Sequence, residues 1–368
     1  MSDILRCKVS SAIRNDILDK SRGWRFPRFD PLRPDAALAA HERGDSPQAD
    51  TYILAHQLGT ALAPAVFQAT ATDLARFDRT GGPSLVLVED VPCSPLPEPW
   101  LPVAGQRNPD CQDWLAEVMT FALLAGGGQQ PMAKLEEAGN ELLMAVSPVP
   151  ELTNTLSSKG AQELRFHTDN SYFPARYRPD SLVLTGRVAT EATFTRFVLA
   201  DDLATAMARD NPAALRTLTE PRFRFWSPAS FHIDGTRPRR SAPGPILTED
   251  AAGQWTVNFS RYNLCPQADM PEVAAALAAL DDALADERLV TDVAVRPGTM
   301  VLLSNRRVLH ARGPVKGRRY LVRGYGKRDL GAFRTLPSGA DRTFFHRFSV
   351  RELLKTRHPE TSRQLVHS

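Results

Sequence analysis

The sequence predicts an α+β chain that is mainly β: a double-sheet jelly roll, or double-stranded β-helix, decorated by flanking helices. Three observations predict it. Short apolar runs rich in β-formers crowd the middle of the chain, at 164–169, 181–187, 193–199, 222–226 and 254–259. The helix-period stretches mostly flank that block. There is also no internal repeat and no low-complexity tract. Many strands with a few helices packed on them suit two sheets closed over one core.

In chain order, residues 1–50 are polar, rich in Arg, Asp and Pro, and weakly periodic. They read as an irregular or partly helical N-terminal extension. From Thr51 to Phe77 an Ala/Leu-rich pattern suggests helix, stopped by Gly81, Gly82 and Pro83. Leu85-Val86-Leu87-Val88 is a short apolar run of the kind that forms a buried strand. Pro92 to Pro109 is a proline-laden loop, and 111–124 read as a helix ending at Gly126-Gly127-Gly128. A Pro/Gly/Arg loop spans 227–253, and loops that long inside a domain are usually functional or mobile. The clearest helix is 271–287: Pro271 suits a first helical position, and Val273, Leu277, Leu280 and Leu284 fall on one stripe. Pro297-Gly298 matches a type II turn, so 293–296 and 299–304 read as a hairpin. A further strand is expected at 319–325. The expected organisation is thus an extension over 1–50, a domain over 51–345 with its jelly-roll core at about 150–330, and a C-terminal tail over 346–368.

Bulk composition excludes several classes. With 42% hydrophobic and 24% charged residues, the 368-residue chain is ordinary for a soluble globular protein and can bury a core. A net charge of +3 gives no reason to expect nucleic acid or an anionic membrane as partner. No apolar run approaches the roughly 18 residues of a membrane span. The N-terminus lacks the apolar stretch of a signal peptide. Cys7, Cys93, Cys111 and Cys265 are scattered with no CxxC pair, which fits reduced thiols in a cytoplasmic protein better than a zinc site.

The chemistry lies in histidine and carboxylate spacing. Two His and one carboxylate on one face of an iron ion leave three positions for co-substrate and oxygen. On a strand, residues i and i+2 point the same way, so His-x-Asp presents imidazole and carboxylate to one point. The pattern alone is weak. With 8 His and 42 acids in 368 residues, about one H-x-[DE] arises by chance, and three exist. His358-Pro-Glu360 holds a proline inside the motif, and no later strand can supply a partner. His232-Ile-Asp234 precedes Gly235 in the long loop and reads as a turn. His167-Thr-Asp169 sits at a strand end inside the fold.

Wider stretches single out the third. LSSKGAQELRFHTDNSYF (156–173) is followed about 140 residues later by PGTMVLLSNRRVLHARGP (297–314) and then RRYLVR (318–323). Together these resemble the clavaminate synthase-like branch of the taurine dioxygenase superfamily, over roughly residues 80–330. The resemblance implies that His167, Asp169 and His310 hold Fe(II). It also implies that 2-oxoglutarate and O2 are co-substrates, and that an arginine of the R-[WY]-L-x-R strand meets the distal carboxylate of 2-oxoglutarate. By motif that arginine is Arg319, with Arg323 on the same strand face, and Thr195 joins them. The loop between His310 and Arg319 is shorter than in the family, which leaves the choice of arginine open.

The implied reaction is oxidation, by default hydroxylation, of an unactivated C–H bond, with desaturation or cyclisation as alternatives. Asp169 argues against halogenation, because related halogenases carry a small residue there. The implied substrate is an amino acid or an amino-acid-derived natural-product intermediate, free or tethered to a carrier protein. Arg261, Tyr262 and Ser171 are the expected substrate contacts. Because Val257–Tyr262 carries Arg261 and no acid, a guanidinium substrate is disfavoured and a neutral or acidic group is expected there. Arg237, Arg239 and Arg240 belong to a loop that either closes over substrate or is simply solvated. Two other classes compete: a non-catalytic small-molecule-binding barrel, and a metal isomerase that does not use 2-oxoglutarate.

Overall fold

Alternation of apolar side chains builds the centre of this molecule. The computed structural model describes residues 3–43, 50–157, 159–228, 231, 238–265, 270–334 and 347–355. Its strands are β1 (Ile4–Lys8), β2 (Leu85–Glu89), β3 (Gln130–Lys134), β4 (Leu143–Val146), β5 (Leu164–His167), β6 (Ser181–Ala189) and β7 (Phe194–Leu199). They continue with β8 (Leu247–Glu249), β9 (Trp255–Val257), β10 (Thr291–Ala294), β11 (Met300–Ser304), β12 (Val308–Arg312), β13 (Arg319–Lys327) and β14 (Arg347–Phe348). The helices are α1 (Ser11–Ser21), α2 (Pro34–Glu42), α3 (Asp50–Val66), α4 (Ala71–Ala75), α5 (Leu115–Gly126) and α6 (Leu135–Ala138). Later in the chain come α7 (Ala200–Asp210), α8 (Pro212–Leu218), α9 (Pro271–Leu284), α10 (Gly331–Arg334) and α11 (Val350–Lys355).

A large sheet runs β1-β2-β11-β6-β13-β3-β14, with β4 also paired to β13. A small sheet runs β10-β7-β12-β5, and β8 pairs β9 alone. The large sheet is buried on both faces. Leu85, Leu87, Leu182, Leu184, Val301, Leu303 and Leu321 join the core shared with Phe197 and Leu309 of the small sheet. Their neighbours Val86, Val88, Val183, Met300, Leu302 and Val322 point the other way, into a second core with Tyr52 of α3 and Phe121 of α5. A strand covered on both sides reads as an unbroken apolar run, which is why Leu85–Val88 was legible.

Four expectations are corrected. The first 50 residues are partly helical as read, with α1 and α2, but they are more than an extension: β1 pairs in parallel with β2 from Ile4↔Leu85 to Lys8↔Glu89 and extends the large sheet. Segment 222–226 makes only isolated bridges, Phe223↔Gly244, Phe225↔Leu264 and Trp226↔Arg240. The C-terminal tail contributes β14, paired with β3, and α11. Finally, β10 and β11 are no hairpin. The turn itself is type II as read, with Thr299 N–H donating to the Arg296 carbonyl at 2.9 Å and Gly298 at φ +85°. Yet β10 pairs β7 in the small sheet while β11 pairs β2 and β6 in the large one. The turn is a crossover between sheets, which a local pattern cannot distinguish from a hairpin. No helix among the described residues is long and apolar enough to cross a membrane.

Candidate metal centre and pocket

His167 closes β5, and β12 places His310 directly opposite it in antiparallel register. The two rings lie 4.3 Å apart between centroids. Asp169 lies two residues beyond the strand end, after Thr168. One ligand atom from each of His167, Asp169 and His310 lies within 4.8 Å of the others. The Asp169 Oδ1 is 3.3 Å from His167 Nε2 and 3.7 Å from His310 Nε2. Neighbouring donors on a metal held at about 2.1 Å sit about 3 Å apart, so this spacing fits an ion between them.

The donor set is oriented for that role. His167 Nδ1 lies 2.8 Å from the Arg165 carbonyl. A carbonyl only accepts, so Nδ1 carries the hydrogen and Nε2 keeps its lone pair. His310 is buried, and its imidazole is pulled down to about 3 by burial and by His167, so it is neutral and can ligate. Burial pushes the Asp169 carboxyl up, but the facing His167 and the Arg323 guanidinium more than offset this and hold it well below the carboxylate range. Its backbone is braced by Asn305: Asp169 N–H donates to Asn305 Oδ1 at 2.8 Å, and Asn305 Nδ2 donates back to the Asp169 carbonyl at 3.0 Å. Asn305 is a positioning residue that sequence reading placed in the motif without assigning it work.

These ligands open into a cavity of about 690 Å³ lined by both sheets. On β13 the odd positions face it: Arg319, Leu321, Arg323 and Tyr325. The two arginines differ. Arg323 Nη1 lies 3.4 Å from Asp169 Oδ2, and its Nη2 donates to Glu137. The Tyr325 hydroxyl lies 2.8 Å from Asp169 Oδ2 and 2.9 Å from Glu137 Oε1. Arg319 is buried with no ion pair among the described residues, and its Nε has no hydrogen-bond partner. Burial and neighbouring Arg312 lower its guanidinium to about 9. Thr195 on β7, also lining the cavity, has a buried hydroxyl with no partner. A buried arginine without an ion pair and a buried hydroxyl without a partner, among the described residues and lining one cavity, are groups able to receive a carboxylate.

The expected substrate contacts divide. Tyr262 lines the cavity, its hydroxyl accepting from Arg165 N–H at 2.7 Å. Arg261 does not line it: it is paired with Asp281 of α9 at 3.0 Å. Ser171 is buried but lines a separate cavity of about 440 Å³ with Arg178 and Asn258, and the residue before it, Asn170, takes φ +62°. In the long loop, Pro228 and Phe231 line the main cavity, while Arg240 stacks over Trp226 at 4.7 Å. His232, Asp234 and Arg237 lie outside the described residues, as do His358 and Glu360. Sequence reading missed Glu137, Tyr325 and Lys159. Strand alternation from Arg323 could have found Tyr325; nothing in the sequence marks the other two.

The chain is similar to several known proteins. The family described as "Taurine catabolism dioxygenase TauD, TfdA family" matches over residues 116–325. A solved asparagine oxygenase in complex with Fe(II), 2S,3S-3-hydroxyasparagine and succinate superposes with a TM-score of 0.70 at 21% identity, covering 94% of this chain and 99% of that one. The non-heme iron oxygenase OrfP, solved with Fe and alpha-ketoglutaric acid, gives a TM-score of 0.69 at 18% identity, covering 92% and 98%. At such identities the likeness is one of fold. No curated protein sequence matches the chain.

Proposed function

The chain belongs to the taurine catabolism dioxygenase TauD, TfdA family, matched over more than half its length, and from that premise we propose that it hydroxylates a free amino acid using Fe(II), 2-oxoglutarate and O2. The observation that carries this reading is a single cavity joining the His167, Asp169 and His310 donors to two distinct charged subsites. We read the large and small sheets as the two halves of a double-stranded β-helix, with the cavity between them. His167, Asp169 and His310 would hold the iron, leaving three positions open. Arg319 and Thr195 would take the distal carboxylate of 2-oxoglutarate. When bound, iron and 2-oxoglutarate supply oxygen activation, with succinate and carbon dioxide as the co-substrate's products.

Arg323 and Glu137 offer a cation and an anion side by side, which suits the carboxylate and ammonium of a zwitterion. Tyr325 fixes both against Asp169 and so ties substrate position to the metal centre. A carrier thioester would remove the carboxylate that Arg323 is set to receive, so a free amino acid fits better than a tethered one. The related oxygenases, solved with hydroxylated asparagine and hydroxylated arginine, support an amino-acid substrate. The carboxylate of Asp169 occupies the place a halide would need, which favours hydroxylation.

Anaerobic addition of Fe(II) and 2-oxoglutarate to the folded protein should give a weak visible charge-transfer band, and air should then yield succinate. A folded protein that gives neither the band nor succinate would overturn this reading.

A further inference from the structure

The charges around the main cavity do not balance, and the imbalance has an address. The carboxylates lining it are Glu136, Glu137 and Asp169; the cations are Lys159, Arg312, Arg319 and Arg323. Each acid is engaged. Glu136 accepts from Ser349 Oγ at 2.8 Å and from the N–H groups of Val350 and Arg351 at 2.7 and 3.1 Å. Glu137 holds Arg323 and Tyr325, and Asp169 faces the histidines. Divalent iron and doubly charged 2-oxoglutarate cancel, and a zwitterionic amino acid adds nothing. One positive charge is left over.

Lys159 is the cation that stays open to a ligand among the described residues. Arg319 is matched to 2-oxoglutarate and Arg323 to Glu137, while the Arg312 guanidinium is held at the cavity wall by donating to the Gln162 carbonyl, a bond that fixes it without cancelling its charge. Lys159 lines the cavity with no ion pair among the described residues. Its position is built rather than incidental. The Val149 N–H donates to its carbonyl at 2.9 Å, and a Cβ on Gly105 would lie 2.8 Å from its Cδ, so the stem is packed against backbone. Burial depresses its ammonium, only partly countered by Glu141, and nearby Arg323 depresses it further. A half-buried cation whose carboxylate neighbours, Glu141 and Glu137, act on it only through space gains free energy from a ligand that brings a carboxylate into contact.

We propose that the pocket takes an amino acid whose side chain ends in a carboxylate, and that Lys159 receives that carboxylate. This rests on the hydroxylase reading above and narrows it. It also relocates the expectation drawn from Arg261: that arginine is spent on Asp281, and Lys159 is the cation that meets the substrate.

Binding of L-aspartate, L-glutamate, L-asparagine, L-glutamine and L-arginine to the Fe(II) and 2-oxoglutarate-loaded enzyme, measured anaerobically by calorimetry, tests it. The tighter of the two dicarboxylic amino acids should bind at least about tenfold better than its own amide, the ratio a charge-assisted hydrogen bond gives. In Lys159→Met the ratio should fall to near one, and Lys159→Arg should restore most of it, with cooperative melting confirming both folds. An amide or arginine bound as tightly as the acids by wild type, or a preference for the acid that persists in Lys159→Met, overturns the proposal. If the charge-transfer band forms and the acid preference is absent, only this inference falls. If the band itself is absent, both fall.

Discussion

At the scale of single residues, the most informative contrast is between Arg319 and Arg323. They share one face of β13, so alternation alone cannot separate them. Their surroundings can. Arg323 is held by Glu137 and Asp169; burial lowers its guanidinium, but Tyr325 and those two carboxylates raise it above the usual range. Burial lowers the Arg319 guanidinium, and among the described residues the charge of Arg312 adds to the cost. An anion arriving from solution gains most at the unmatched cation. Arg319→Gln should therefore raise the KM for 2-oxoglutarate roughly ten- to hundredfold, the range for losing a charged hydrogen-bond partner. Arg323→Lys should instead raise the KM for the amino acid. Steady-state succinate formation measured against each substrate distinguishes them, and the opposite pattern would exchange the two roles.

At the scale of elements, the crossover turn between β10 and β11 ties the two sheets together through a close backbone approach. A Cβ on Gly186 of β6 would lie 2.1 Å from the Arg296 carbonyl oxygen, at a point where Pro297 also bridges to Gly186. Gly186→Ala should cost on the order of 2 kcal/mol, the range for overpacking against rigid backbone, and lower the melting temperature by several degrees. Gly244→Ala, where nothing lies within 4 Å, should change it little. Thermal unfolding of both variants decides, and equal melting temperatures would mean that the sheets separate without cost. The same elements show what was legible in sequence. Strands that bury both faces announce themselves as apolar runs, and the N-R-R-x-x-H motif is legible because every residue in it works. Asn305 braces Asp169, Arg306 pairs with Asp78 at 2.6 Å, and Arg307 pairs with Asp201 at 3.0 Å. Pairing between distant strands leaves no local trace, so β1 was missed and β10–β11 misassigned. Glu137 was silent for the same reason: its partners Arg323 and Tyr325 lie far off in sequence.

At the scale of the whole molecule, the open question is whether the first 50 residues are an appendage, as their polar composition suggests. The contacts argue that they are structural. Val9, Ile17, Phe29 and Leu38 are buried, each worth roughly 1.5–3 kcal/mol before the cost of ordering the chain. The Asp3 carbonyl accepts from Ser84 and Leu85 N–H, and its carboxylate pairs with buried Arg307 at 3.3 Å. Pro34, at the start of α2, lines the main cavity itself. Removing this segment would bare the β2 edge of the large sheet, and an unprotected edge invites aggregation. It would also uncover side chains whose burial rivals the 5–15 kcal/mol by which a typical domain is stable. A chain beginning at residue 50 should therefore be insoluble or melt without cooperativity. The full chain should melt in one transition that rises when Mn(II) and 2-oxoglutarate are added, since ligands that bind only the folded state stabilise it by about 2.7 kcal/mol at a hundredfold excess over Kd. A truncated chain that melts cooperatively and keeps that ligand-induced rise would show the segment to be dispensable, and would place the whole metal centre in the remaining domain.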